Sequence, residues 1–126
     1  MITRLARVTI YVRDQDEALR FYTETLGLEK RADVTFGPGA RWLTVAPAGQ
    51  RDVEILLQSG VPALHGEEFA QKIGERVGQG TTWVFATDDC RGDYETLKAR
   101  RHLHQRATGS AVRRRGGLSG FVRQLV

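Results

Sequence analysis

The feature that most constrains the fold is a strand pattern followed at once by the pattern of a capped helix, within residues 8–27. Val8, Ile10 and Val12 alternate with polar residues, which is the period of a half-buried strand. Asp14 then occupies the N-cap position of a helix, with Glu17 three residues on as in a capping box. Apolar residues recur behind it at helical spacing, and a glycine follows that can end the helix: Ala18, Leu19, Tyr22, Leu26 and Gly27. The segment predicts a strand joined by a short turn to an amphipathic helix.

Three further strand patterns follow the helix, at residues 29–36, 41–46 and 53–57, separated by turns rich in glycine and proline. Residues 1–58 are therefore predicted to run strand, helix, strand, strand, strand. Residues 59–66 indicate a linker, and residues 67–77 a short helix with apolar residues four apart. About 75 residues after the first strand the opening pattern returns. There residues 82–87 are strand-like, Asp88 and Asp89 are cap candidates, and residues 94–97 continue a helix.

The capped helix with its Phe21 and Tyr22, the Leu26-Gly27-Leu28 sequence and the charged strand after it carry a family resemblance. Over about residues 3–99 the chain resembles the vicinal oxygen chelate superfamily, which includes glyoxalases, extradiol dioxygenases and bleomycin-resistance proteins. The resemblance implies an α+β fold of paired βαβββ modules, here with the second module incomplete. It implies one domain over residues 1–126: a first module (1–58), a linker with a short helix (59–80), the start of the second module (81–100) and an anomalous basic tail (101–126).

The tail differs in composition from everything before it. All 15 acidic residues lie within residues 1–100, together with 13 lysines and arginines, whereas residues 101–126 carry six arginines and no acid. The first hundred residues therefore have a net charge of −2, and the tail alone brings the chain to +4. A complete second module needs three more strands in this region, yet no strand periodicity is present. We expect residues 101–126 to be irregular in structure.

A shift of reading frame accounts for this tail. The codons that can encode it, reread one base later with permitted third bases, yield strings that are typical of the superfamily's second module, in the expected order. We therefore hypothesise a one-base frameshift near residues 98–101, in the gene or in its recorded sequence. On this hypothesis His102, His104 and the arginine run at 113–115 are accidents of translation, and not a metal site or a nucleic-acid patch.

The resemblance also indicates where metal ligands would lie, on the concave face of the sheet. The first ligand position falls on Arg7, whose guanidinium has no lone pair to offer. The second falls on Glu54, which could ligate, the third falls on Thr82, and the fourth lies in a strand that the chain lacks. Even catalytic zinc normally has three protein ligands. We therefore expect no metal site, with Glu54 the only plausible ligand, and no cofactor.

Strand alternation defines a candidate ligand-binding face. Glu54, Leu56 and Gln58 share one face of their strand, and Arg7, Thr9 and Tyr11 share the corresponding face of the first strand; Thr82 completes the candidate set. Glu54 is the candidate general base, and the alternative is a structural ion pair with Arg7. Trp42 and Trp83 are either stacking walls for a flat ligand or core residues. His65, beside a glycine in the linker, is expected at the surface.

These observations favour a small-molecule-binding protein of the glyoxalase/bleomycin-resistance type that works without a metal. A metal-dependent glyoxalase-like lyase or dioxygenase is the alternative, so catalysis stays open, and a basic-tailed nucleic-acid-binding protein is the second alternative. The apolar runs are too short to span a membrane. A single cysteine, Cys90, and the absence of a signal-peptide pattern favour the cytoplasm. An exposed sheet edge favours a homodimer, and nucleic acid is not favoured as a partner.

Overall fold

The computed structural model describes residues 1–79 and 83–107, the last four of these by their backbone only. The chain divides into two compact units, Met1–Gln79 and Gly80–Val126. The first unit holds a four-stranded sheet with three helices and a helical turn. In the second unit, the described residues contain one long helix. No helix in these described ranges is long and apolar enough to cross a membrane.

The sheet of the first unit is a single βαβββ module. Its elements are β1 (Arg7–Tyr11), α1 (Gln15–Arg20), a π-helical turn (Phe21–Thr25), β2 (Glu29–Gly37), β3 (Ala40–Ala46) and β4 (Glu54–Gln58). The order across the sheet is β1-β4-β3-β2, with β1 parallel to β4 and the other neighbours antiparallel. This confirms the predicted order of strands and helix, and with it the α+β fold whose second module is incomplete.

The first helix begins and ends where the sequence predicts. The Asp14 carboxylate accepts a hydrogen bond from the backbone N–H of Glu17, with 2.9 Å between Oδ1 and N, which satisfies one of the free donors of the first turn. After the π-helical turn, Gly27 has a φ of 76°, a conformation that glycine adopts without the steric penalty of a Cβ. Between them Tyr22 is buried, and this burial raises the pKa of its phenol.

The core lies on one face of the sheet. Leu43 and Val45 of β3 and Ile55 and Leu57 of β4 are buried there, and Val45 is directly paired with Ile55. Helix α1 contacts β4 and is tied to it by Gln15, whose side-chain Nε2 donates to the Leu57 carbonyl at 2.9 Å. Truncating a buried leucine of this kind typically costs about 2–5 kcal/mol. Packing on this face therefore holds the module together.

Two helices follow β4 within the first unit: α2 (Pro62–His65) and α3 (Glu67–Arg76). The prediction of a helix from residue 67 is confirmed, and its Ile73 is buried. The chain before α2 passes close to α3 at Gly60, where a Cβ would lie 2.5 Å from the Ala70 carbonyl oxygen. Only glycine fits this approach, because real Cβ atoms do not come so near to another backbone.

The second unit departs from the sequence predictions at two places. Its helix α4 (Cys90–Ala107) begins as predicted, with Asp89 Oδ1 accepting from the Gly92 N–H at 2.9 Å. The strand predicted at residues 82–87 is wrong for 83–87, which form no strand. The strands of the described residues all belong to the first unit, and the described part of the second unit offers residues 83–87 no strand with which to form a ladder.

Residues 101–107 continue α4, so the prediction that the tail is irregular is wrong over this stretch. Arginine, leucine, glutamine and alanine are good helix formers. They extend a helix that has already been nucleated, which adds one hydrogen bond for each residue fixed. The rest of the tail, residues 108–126, lies outside the described residues, as does Thr82.

Candidate functional site

The sheet face opposite the core carries polar and aromatic side chains, and we call it the open face. Paired residues of neighbouring strands project to the same side; the pairs here are Arg7 with Glu54, Thr9 with Leu56, Tyr11 with Gln58, Thr44 with Leu56, and Val34 with Trp42. The open face thus comprises Arg7, Thr9, Tyr11, Val34, Trp42, Thr44, Glu54, Leu56 and Gln58, although Thr44 is itself fully buried. The structure brings together six of the seven predicted ligand-binding residues, and the seventh, Thr82, lies outside the described residues.

Arg7 lies between a carboxylate and an aromatic ring on the open face. Its Nε is 3.6 Å from Glu54 Oε2, and its guanidinium carbon is 5.4 Å from the centroid of the Trp42 ring. Both contacts stabilise the positive charge of Arg7 at this position. The carboxylate acts through its opposite charge, and the tryptophan acts through the quadrupole of its ring. Glu54 therefore makes the ion pair that was the structural alternative to a role as general base.

Trp42 is not a core residue. It is 37% exposed, and Val34 and Phe36 on the neighbouring strand are each 56% exposed. Large apolar side chains at this exposure, on one side of one sheet, form a surface suited to a partner or a ligand. Trp83 belongs to the second unit, where it is half-buried.

A half-open cavity of about 140 Å³ lies at the end of the sheet near Gln58, and we call it the end cavity. Its walls are mostly apolar, with a few amide and imidazole groups: Gln15, Phe36, Ala40, Arg41, Trp42, Leu56, Leu57, Gln58, Ser59, Val61, Leu64 and His65. Three of these, Trp42, Leu56 and Gln58, also belong to the open face. The cavity therefore opens beside the predicted ligand-binding residues.

His65 is held in the wall of the end cavity by two hydrogen bonds. Its Nδ1 accepts from the Val61 backbone N–H at 3.3 Å, and its Nε2 lies 3.2 Å from the side-chain amide of Gln58. The ring also contacts Phe69 of α3, with 5.6 Å between centroids. The expectation of a surface histidine is wrong, because α2 folds the imidazole back against β4 and leaves it half-buried.

The charged residue that lines the end cavity, Arg41, is already paired with two carboxylates. It makes two hydrogen bonds to Asp33, at 2.7 and 2.9 Å, and one to Asp16 at 2.7 Å. The hydrogen bonds and charge of Arg41 hold the pKa of the Asp33 carboxyl below its usual value, and the two aspartates raise the pKa of Arg41. This cluster is structural, since two carboxylates already balance the charge of the guanidinium.

Gln15 lines one side of the end cavity, and its side-chain amide nitrogen donates hydrogen bonds to the sheet. Its Nε2 donates to the carbonyls of Leu57 and Arg41, at 2.9 and 3.1 Å. Sequence reasoning missed Gln15, Phe36 and His65 as lining residues. Gln15 directly follows the predicted N-cap residue. Its position therefore indicated that Gln15 begins a helix, but it did not indicate which strand the helix would contact.

A second, wider depression of about 400 Å³ lies beside Tyr11, between β1 and helix α3. Its rim carries Lys72, Glu75 and Arg76 from α3. Tyr11 therefore lies at the border between the open face and this depression.

The superfamily's metal chemistry can be tested against the side chains at the ligand positions. At the first position the guanidinium of Arg7 brings a positive charge to 3.6 Å from Glu54, where it would repel a divalent cation bound to this carboxylate. Nowhere in residues 1–79 and 83–107 do three histidine, cysteine, aspartate or glutamate side chains converge in a way that could hold a metal ion. The residues present on the open face do not fit a divalent metal.

Comparisons with known proteins agree with this architecture. The family described as Glyoxalase/Bleomycin resistance protein/Dioxygenase superfamily matches residues 4–110. The uncharacterized protein YetH of Bacillus subtilis (strain 168) is 33% identical over 98 residues, which is 78% of this chain and 72% of YetH.

Two solved structures resemble the chain at similar levels of identity. The crystal structure of UcmS2 is 39% identical with a TM-score of 0.68, covering 79% of this chain and 76% of UcmS2. TnmS3, described as an antibiotic binding protein from Streptomyces sp. CB03234, is 30% identical with a TM-score of 0.61, covering 79% of this chain and 71% of TnmS3. With the βαβββ sheet described above, the match over residues 4–110 establishes that the chain belongs to the glyoxalase/bleomycin resistance protein/dioxygenase superfamily.

Proposed function

We propose that this protein binds a small organic molecule on the open face and does so without a metal ion. The observation that carries the proposal is the exposed aromatic surface of Trp42 and Phe36 beside a cavity with mostly apolar walls. Apolar pockets with a few placed polar groups are the usual form of small-molecule sites. The relative TnmS3, described as an antibiotic binding protein, supports the same class of ligand.

Metal independence is supported by the chemistry of Arg7. A guanidinium cannot coordinate a cation, because it has no lone pair, and its positive charge repels one. The contact of Arg7 with both Glu54 and Trp42 supplies a fixed cation at the place where metal-dependent members would hold their ion. The proposed activity is therefore binding, with Glu54 neutralised by Arg7 and not acting as a metal ligand or a general base.

Tryptophan fluorescence tests this proposal. A Trp83→Phe variant leaves Trp42 as the sole reporter, and the probes are metal-free bleomycin and 2-naphthol, each titrated with and without excess EDTA. We expect saturable quenching at one ligand per chain with at least one probe, unchanged by EDTA. The absence of saturable quenching with both probes, or a signal that appears only after a divalent metal is added, would overturn the proposal.

A further inference from the structure

We infer that the end cavity is a subsite for one uncharged aromatic ring that carries a hydroxyl group, so that the ligand belongs to the phenol class. The inference rests on the proposed function and deepens it by assigning ligand chemistry to a part of the site for which only the open face was predicted. Four properties of the cavity carry it: its size, its walls, its charge and the few polar groups that remain available in its lining.

The size of the end cavity fits a single ring. Its volume is about 140 Å³, and an apolar protein cavity of about 150 Å³ is known to accept benzene. This volume leaves little room for a second fused ring, which would have to project through the opening. The cavity therefore selects the terminal ring of a larger compound, or a monocyclic compound on its own.

The walls provide aromatic and aliphatic contact with little polar competition. Phe36, Trp42 and Leu64 are 56%, 37% and 51% exposed, and all three line the cavity. A ring inserted among them removes apolar surface from water on both partners, which is the main driving force for binding an uncharged ligand. Trp42 and Phe36 also favour offset or edge-on contact with an aromatic ring over an aliphatic one.

The charge balance of the walls excludes an ionic ring. Arg41 is the charged residue among the lining residues, and its guanidinium is held by Asp33 and Asp16. A carboxylate or an ammonium group placed in the cavity would lose its hydration and find no free counter-charge. An uncharged ring avoids this cost.

Two polar side chains of the lining remain, the Gln58 amide and the Ser59 hydroxyl, and the amide is the one whose position is fixed by a described contact. One end of this amide lies against His65, and the described residues provide no hydrogen-bond partner for its other end. The Gln15 amide nitrogen is already used, since it donates to the carbonyls of Leu57 and Arg41. A hydroxyl group can either donate or accept, so it can pair with the free end of Gln58 whichever way the amide is oriented.

Phenol itself is the probe, and nuclear magnetic resonance of the Trp42 indole N–H is the readout, in the full chain carrying Trp83→Phe. We expect saturable shifts with a dissociation constant of about 1 mM, the range open to so small a ligand. Benzoate and benzylammonium should bind at least about tenfold more weakly, as expected when an unpaired charge is desolvated. Equal binding of either ion would overturn the inference.

Two variants test the geometry. Leu64→Phe should fill the cavity and abolish the phenol shifts, whereas Leu5→Phe, at a leucine 64% exposed and away from the lining, should leave them unchanged. Gln58→Leu should weaken phenol about tenfold while leaving toluene unaffected, as expected for the loss of one hydrogen bond. If Leu64→Phe binds phenol as the parent does, the ring lies elsewhere and the inference fails.

The outcome separates this inference from the proposed function. If 2-naphthol or bleomycin binds and phenol does not, the end cavity is not a ring subsite, although the open face still binds small molecules. If none of the three binds, both proposals fail. If phenol binds with the expected variant pattern, the ring subsite stands whatever the larger probes do.

Discussion

Arg7 and Glu54 lie opposite each other on the parallel strands β1 and β4, with 3.6 Å between Nε and Oε2. The pair is partly exposed, with 47% of the Arg7 side chain and 26% of the Glu54 side chain accessible. Because solvent screens such a pair, its charges matter more for what the open face can bind than for the stability of the fold.

Replacing Arg7 with alanine should lower the free energy of unfolding by about 1 kcal/mol, since partly exposed ion pairs and cation–π contacts are each worth about 1 kcal/mol or less. Urea unfolding followed by circular dichroism measures this change. Arg13→Ala, at an exposed arginine outside the sheet, is the matched control and should stay within about 0.5 kcal/mol of the parent. A decrease of more than about 3 kcal/mol in the free energy of unfolding would contradict this prediction and show that Arg7 is essential for the stability of the module.

The same position predicts the metal content of the protein. With Arg7 beside Glu54, we expect no stoichiometric divalent ion after purification without a metal-binding tag. Elemental analysis by mass spectrometry is the measurement. Zinc, nickel, iron or manganese at nearly one ion per chain would contradict this prediction and favour the metal-dependent lyase or dioxygenase.

The Asp33–Arg41 pair should make the protein less stable in acid. The pKa of Asp33 is lowered in the folded state, so its contribution is present above the unfolded value of about 3.9. The contribution is lost as the pH falls through the lower folded-state pKa. Asp33→Asn should reduce stability by about 1 kcal/mol at neutral pH and flatten the acid limb of the stability–pH curve.

Urea unfolding at pH values from neutral to strongly acidic measures this effect. Asp52→Asn is the control, because Asp52 is exposed in the loop before β4. If the stability of the Asp33 variant falls with decreasing pH as steeply as that of the parent, the loss of stability in acid is caused mainly by other carboxylates.

The unpaired edges and the exposed apolar side chains of the open face predict a homodimer. Among the described residues β1 and β2 are the two edge strands, and Val34 and Trp42 of the open face are exposed together with Phe36 of β2. Such surfaces favour association. Light scattering should return twice the chain mass of 14.1 kDa, and a monomer mass at high concentration would count against the prediction.

Restoring one base near codon 98 is the most informative change to the chain. About 28% of YetH lies outside the matched region, and the reread codons would supply strands where the present tail is rich in arginine. The restored protein should melt at a higher temperature and bind 2-naphthol more tightly, because further strands would cover apolar surface that is now exposed. Sequencing of the coding DNA is the direct check, and equal stability of the two proteins would contradict the frameshift hypothesis.

Local patterns in the sequence predicted the elements whose causes are local. Asp14 caps its helix because the side chain reaches a donor three residues on, and alternation alone placed Arg7 and Glu54 on one face. The role of His65 depends on helix α2 turning back onto β4. This is a contact between distant segments, and the local hydrophobic pattern does not predict it. Residues 83–87 have the composition of a strand, but a strand also needs a neighbour, and sequence alternation does not supply one.

The parallel pairing of β1 with β4 has a consequence for how the module folds. Arg7 and Glu54 are 47 positions apart in the chain, whereas β2 and β3 are joined by a tight turn at Gly39, whose φ is 71°. Closing the long loop costs more chain entropy than closing the short one. The β2–β3 hairpin is therefore expected to form first on the folding pathway, and the Arg7–Glu54 pair, on which the character of the open face depends, to assemble late.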